Sequence, residues 1–196
     1  MAENLEKFCI ELPSWLPTFN RQYTPSSEIN DQMQFVLKAA HENVAQNTGG
    51  PFAAAVFETE SGKLVSLGVN LVTSQQLSIL HAEIVALSLA QREIGAYDLG
   101  GSGQPHHQLV TSSEPCAMCF GAIPWSGVTR VITGSRDSDV RAIGFDEGPK
   151  LKDWQSALTS RGIQVIPDVA RSDAIHVLEV YRQQGGHLYN SRESTQ

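Results

Sequence analysis

From Ser27 onward, apolar side chains at Ile29, Met33, Val36, Leu37, Ala40 and Val44 return every three or four residues, the period of a helix buried along one face. Ser27 stands where an N-cap belongs, and Asn47-Thr48-Gly49-Gly50 supplies the stop. Two runs rich in strand formers follow, Phe52 to Phe57 and Leu64 to Val72, joined through Glu60-Ser61-Gly62 in the manner of a hairpin. A second helical pattern spans about Leu80 to Ile94 on Leu80, Ile84, Leu87 and Ile94. Beyond it, short strands at Leu109 to Ser112, Val128 to Thr133 and Gln164 to Pro167 alternate with helices after Pro115, near Leu151 to Ser160, and from a cap at Ser172 through Gln183, where Gly185-Gly186 stops the last one. Strands alternating with helices after a hairpin predict an α/β domain whose sheet is largely parallel and flanked by helices.

The ends of the chain depart from this rhythm. Residues 1–26 are irregular: Pro13, Pro17 and Pro25 block a long helix, while Phe8, Trp15, Phe19 and Tyr23 seek burial, so they form an arm packed on its own chain or on a partner subunit. Residues 27–190 make the domain, and 191–196 read as a frayed tail. The stretch Leu99-Gly100-Gly101-Ser102-Gly103 lacks the Gly-Lys-Ser/Thr ending of a phosphate-binding loop and does not open a helix after a strand, so it is read as a connector.

Chemistry concentrates in His81-Ala82-Glu83 and Pro115-Cys116-Ala117-Met118-Cys119. Cys116 and Cys119 are spaced to share one helix face, whereas His81 and Glu83 can reach a common point only from the first turn of a helix. Both motifs therefore read as helix starts, and Pro115 suits that position. Two such N-termini favour thiolate over thiol. One imidazole and two thiolates leave a fourth zinc position for a water, whose pKa the metal lowers to roughly 7, and they leave Glu83 as a spare carboxylate. A cysteine pair at this spacing is also compatible with a redox couple, or with structural zinc completed by Cys9, His41, His106, His107, His176 or His187. His106 and His107 are adjacent and so point to opposite faces of a strand, which reads as a surface role rather than a metal pair.

A His-x-Glu followed by Pro-Cys-x-x-Cys, here separated by residues 84–114, is the signature of zinc nucleobase deaminases. With Pro51-Phe52-Ala53-Ala54-Ala55-Val56, Gly68-Val69-Asn70 and Gly121-Ala122-Ile123-Pro124-Trp125-Ser126-Gly127, roughly residues 28–189 resemble the cytidine deaminase-like superfamily, and within it the guanine deaminases. The resemblance implies a three-layer α/β fold with a five-stranded mixed sheet, one Zn2+ per chain on His81, Cys116 and Cys119, and Glu83 as proton shuttle. It further implies a substrate pocket of Phe52, Asn70, Ala82, Glu114, Trp125 and Tyr189, with Asn70 holding the edge of the base and Glu147 as a second acidic residue. Taken alone, Phe52 and Trp125 read as core aromatics, and Glu147 equally well as a solvated loop acid. Ala53 stands where the family usually has glycine, so a methyl group there narrows the pocket floor. The implied reaction is zinc-dependent hydrolysis of a free base, guanine to xanthine and ammonia. The alternatives are a cytosine or cytidine deaminase, a tRNA adenosine deaminase, and a non-catalytic protein whose zinc only holds the fold.

Composition narrows these readings. The chain has 196 residues, 41% hydrophobic and 18% charged, which is within the ordinary range for one globular domain. Its 14 Lys and Arg against 21 Asp and Glu give a net charge of -7, unsuited to gripping a phosphate backbone; a small nucleobase is the expected partner, not nucleic acid. Three cysteines, two of them assigned to metal, allow no disulfide framework, and no apolar run is long enough to span a membrane; a cytoplasmic protein is expected. The Phe120 to Trp125 segment, apolar on more sides than one packing face uses, predicts a homodimer.

Overall fold

The computed structural model describes residues 9–190. Five strands, β1 (Ala53–Glu58), β2 (Leu64–Val69), β3 (His107–Ser113), β4 (Arg130–Ser135) and β5 (Gln164–Ile166), form one sheet in the order β2-β1-β3-β4-β5. β1 pairs antiparallel with both β2 and β3, whereas β3 with β4 and β4 with β5 are parallel. The sheet is thus mixed rather than largely parallel: the hairpin places β1 between β2 and β3, and only the second half is built from strand-helix-strand crossovers.

Alternation along the strands divides the core into two layers. Ala53, Ala55 and Phe57 of β1, Val110 of β3 and Ile132 of β4 pack with Met33, Val36 and Ala40 of helix α2 (Ile29–Ala45). Their neighbours Ala54, Val56, Leu109 and Val131 pack on the other side with Ala82, Ala86 and Ala90 of α4 (Ala82–Ile94) and Ile123 of α5 (Ala117–Ser126). Helix α8 (Arg171–Gln183) lies beside α2 and over β4, completing three layers. Three helices shorter than the sequence pattern resolves, α1 (Leu16–Asn20), α3 (Val72–Gln75) and α6 (Asp137–Ala142), occupy connections, and α7 (Trp154–Thr159) precedes β5. Among the described residues, no helix is long and apolar enough to cross a membrane.

Several boundaries differ from the predicted ones. The N-cap of helix α2 is Glu28 rather than Ser27, and it makes no side-chain cap bond; the Ser26 hydroxyl accepts from the Glu28 amide at 3.2 Å and donates to Asp31 at 2.7 Å. Ser172 lies inside α8, whose cap is Ala170 in the left-handed region at φ 49. Strand β2 ends at Val69, because Asn70 leaves the ladder and Val72 starts α3. The arm is tied to its own chain: Leu16 is 2% exposed, Trp15 donates to Thr48 at 3.1 Å, and Phe19 and Tyr23 stack on Phe35 at 5.1 and 4.7 Å. Phe8 and the tail 191–196 lie outside the described residues. His107 is not a surface residue; only 1% exposed in β3, it places Nδ1 2.7 Å from the Leu99 carbonyl and so anchors the glycine-rich connector, while His106 stays exposed.

Candidate metal centre and active site

Strand β3 ends at Ser113, and the chain turns through Glu114 and Pro115 into α5, leaving Cys116 as the N-cap and Cys119 one turn inside. His81 is the N-cap of α4, with Glu83 in its first turn. The two helix starts meet: the imidazole nitrogen and both sulfurs lie within 4.8 Å of one another, the one such cluster of His, Cys and acidic ligands among the described residues. Cys116 Sγ is 3.4 Å from His81 Nδ1, which identifies that nitrogen as the inward-facing one. A hydrogen bond from Cys119 holds the Cys116 thiol down at about 4, against the effect of burial and with help from His81, so this sulfur is a thiolate at neutral pH. One nitrogen and two sulfurs, already partly deprotonated and buried at converging helix N-termini, fit zinc and its preference for N/S donors. Cys116→Ala is therefore expected to strip the metal, and zinc analysis of the purified variant checks it; zinc retained together with ammonia release would show the ligand set to be wrong.

A cleft of about 360 Å³ opens on this cluster, lined by Phe52, Asn70, Ala82, Glu83, Glu147 and Tyr189 among others. Glu83 is 5% exposed, and burial, reinforced by the Cys116 charge, pushes its carboxyl up to about 7. A bound cation acts on the same carboxyl in the opposite sense, toward the ionised form. Glu147 is 8% exposed and rises to about 8, first through burial and then through the charges of Cys116 and Glu83. Two buried carboxyls near one metal-ligand cluster, both poised near neutrality, are suited to moving protons.

Residues 26–135, more than half of the chain, match the family described as the cytidine and deoxycytidylate deaminase zinc-binding region. The chain belongs to this deaminase family. Guanine deaminase of Bacillus subtilis is 36% identical over 124 residues, 63% of this chain and 75% of that one. A solved guanine deaminase structure from Nitrosomonas europaea is 42% identical with a TM-score of 0.88, covering 93% of this chain and 100% of that one. The tRNA-specific adenosine deaminase of Rickettsia bellii is 31% identical over 57% of this chain and 72% of its own. This deaminase is accordingly a zinc-dependent hydrolase.

Within the deaminase pocket, most of the predicted residues converge. Asn70, 1% exposed, accepts the Val72 amide on Oδ1 at 3.3 Å, which turns its Nδ2 donor to the cleft. Ala82 forms part of the wall beside the metal ligands. Phe52 meets Phe145 edge-on at 5.2 Å, and Tyr189 packs on the same ring at 4.9 Å, so the aromatic wall is Phe52, Phe145 and Tyr189. Glu114 borders the cleft, but one of its oxygens is committed to the Asp137 amide at 3.1 Å and to Lys150 at 3.4 Å. Ala53 is fully buried in the core layer under α2 and does not line the cleft, so its methyl group narrows nothing.

Trp125 is the correction. It projects from α5 with 82% of its surface exposed and does not line the cleft of its own chain. Helix α5 is apolar on all sides, so periodicity could not tell which side faces the core. The opposite error of omission is Phe145, whose place beside Glu147 was its only signal.

Glu147 is a pocket acid rather than a solvated one because its loop is held on both sides. Its carbonyl accepts the Ala117 amide at 3.0 Å, so the loop rests on the first residue of the cysteine helix. Arg141 donates to the Gly148 carbonyl at 3.1 Å, and Asn190 both accepts from the Asp146 amide and donates to the Gly144 carbonyl, at 2.9 Å each. Gly148, at φ +68, has the Ala117 methyl where a side chain would begin, so the turn requires glycine.

Proposed function

We propose that this deaminase hydrolyses guanine to xanthine and ammonia. The observation that carries the reading is Glu147, a second buried carboxyl in the cleft of Glu83. It lies beyond residue 135, where the match to the wider deaminase family ends, and inside the longer match to the Nitrosomonas guanine deaminase. A purine with an amine between two ring nitrogens gives two carboxyls two separate tasks.

His81, Cys116 and Cys119 would hold zinc, which would supply a Lewis acid that lowers the pKa of water to roughly 7 and so makes a nucleophile available at neutral pH. The rest is done by side chains. Asn70 donates through Nδ2 to an acceptor on the base, and the Phe52, Phe145 and Tyr189 rings flank its plane and exclude water. Glu83 takes the proton released by the attacking water and delivers it to the ring nitrogen next to the amine-bearing carbon. Glu147 accepts a hydrogen bond from the N–H on the other side of that carbon. The second proton of that water is passed by a carboxyl to the amine, which leaves as ammonia while the carbon keeps the oxygen of water as a carbonyl.

Ammonia release from guanine, cytosine, cytidine and an adenosine-bearing tRNA anticodon stem-loop separates the readings. Turnover of guanine with little from the others is expected. Preference for the RNA would favour the tRNA deaminase reading, to which the Rickettsia relative points, and a protein that binds zinc yet releases no ammonia from any of them would favour a structural role.

We further propose a homodimer in the cytoplasm. Met118, Phe120, Ala122 and Trp125 leave the outer side of α5 apolar and at least partly exposed, with Trp125 82% exposed among the described residues. Light scattering at micromolar concentration is expected to give twice the chain mass of 21.3 kDa; a monomer would contradict the pairing.

A further inference from the structure

Asn43 is fully buried near the C-terminal end of α2, where a polar side chain has a cost unless every hydrogen-bonding atom finds a partner. All of them do. Nδ2 donates to the Gly50 carbonyl at 2.9 Å and to the Asn70 carbonyl at 3.0 Å, while Oδ1 accepts the Thr48 hydroxyl at 2.7 Å. The Thr48 oxygen in turn accepts the indole N–H of Trp15 from the arm at 3.1 Å. Because the Thr48 hydroxyl has a single proton and gives it to Asn43, the indole is the donor that completes its shell, and the direction of every bond in the chain is fixed.

The two carbonyls that Asn43 holds belong to the two segments that build one side of the cleft. Gly50 precedes Phe52, and Asn70 presents the amide that faces the substrate. The segments also meet through the Asn70 amide, which donates to the Phe52 carbonyl at 3.0 Å. They approach so closely that a side chain at Gly49 would collide with the Asn70 carbonyl, and one at Gly50 with the Tyr189 hydroxyl. The Asn70 residue is thus fixed at its carbonyl by Asn43 and at its side chain by the Val72 amide. We propose that Asn43, held in one orientation by Thr48 and Trp15, is a positioning residue that sets where Asn70 and Phe52 meet the base.

This rests on guanine turnover as the reading of the site, and the test separates the two. Asn43→Asp keeps the shape and the bond from Thr48 but cannot donate to either carbonyl. Thr48→Val removes the bond that orients the amide without touching the strands, and Trp15→Phe removes the indole donor together with part of the ring that packs on Phe19. Steady-state kinetics on guanine with the zinc-loaded full chain is expected to show kcat/KM falling roughly ten- to a hundredfold in Asn43→Asp, mainly through KM, and less in Thr48→Val and Trp15→Phe, with zinc content unchanged. Combined with Asn70→Ala, these substitutions are expected to add less loss than they cause in the parent, since one of the two groups they position is gone. Full additivity with Asn70→Ala, or losses confined to kcat or to zinc content, would overturn the proposal and leave Asn43 a packing residue. Should Asn43→Asp not fold, the Thr48→Val and Trp15→Phe cycles decide by the same criterion. A parent protein inactive on guanine but active on another base would refute the guanine reading alone, and the cycles would be run on that base.

Discussion

Replacing Glu83 by Gln is expected to leave zinc in place and to lower turnover roughly 10² to 10⁴-fold, or more if the proton transfers are coupled. The amide preserves size and can still donate a hydrogen bond, but it cannot take a proton from water and return it to the ring. Metal should remain because His81, Cys116 and Cys119 form the ligand cluster without help from Glu83. The pH profile carries the same signature. A shuttle must be ionised to accept a proton, so activity in the parent should fall as pH drops through the Glu83 pKa, and this limb should vanish from the residual activity of Glu83→Gln. Zinc lost in proportion to activity would instead make Glu83 a ligand, which the geometry does not support.

Glu147→Gln is expected to collapse guanine turnover while zinc stays bound. Carbon 2 of guanine lies between one ring nitrogen without hydrogen and one that bears hydrogen. Glu83 serves the first. A second carboxyl, whose pKa burial raises, can accept the N–H of the other nitrogen and pass the remaining proton of the attacking water to the departing amine. One side chain cannot readily do this in two places. Cytosine presents an unsubstituted carbon on the matching flank and would leave a buried carboxyl unpaired, at about 1–3 kcal/mol. Rings that repeat the guanine pattern, such as aminotriazines, are expected to be accepted to some degree. Equal guanine activity in parent and Glu147→Gln would show Glu147 to be an ordinary loop acid.

The catalytic centre was legible in the sequence because its information is local. Cys116 and Cys119 are bound to one face by helical spacing, and His81 with Glu83 can converge only from a first turn, which is where the structure has them. The hairpin and the period of α2 were equally local signals. What could not be read depends on which of several apolar surfaces is covered. The α5 helix has no polar side, so its pattern could not show that Trp125 is exposed rather than in the cleft of its own chain; His107 obeyed the opposite-face rule for its pair with His106, but alternation alone does not say which of the two is buried. Glu147 and Tyr189 sit in irregular loops, with no period to place them, and only the folded arrangement through Ala117, Arg141 and Asn190 brings the Glu147 loop to the metal ligands. Asn43 carried a signal that the helical pattern masks: with Gln32, it is one of two amides among the apolar residues buried on α2.

The most direct measurement follows the oxygen. Zinc-loaded protein given guanine in water enriched in ¹⁸O, with the product analysed by mass spectrometry, is predicted to yield ammonia and xanthine carrying one labelled oxygen at carbon 2. Absence of xanthine, or xanthine formed without the label, would contradict hydrolytic deamination of guanine by this chain.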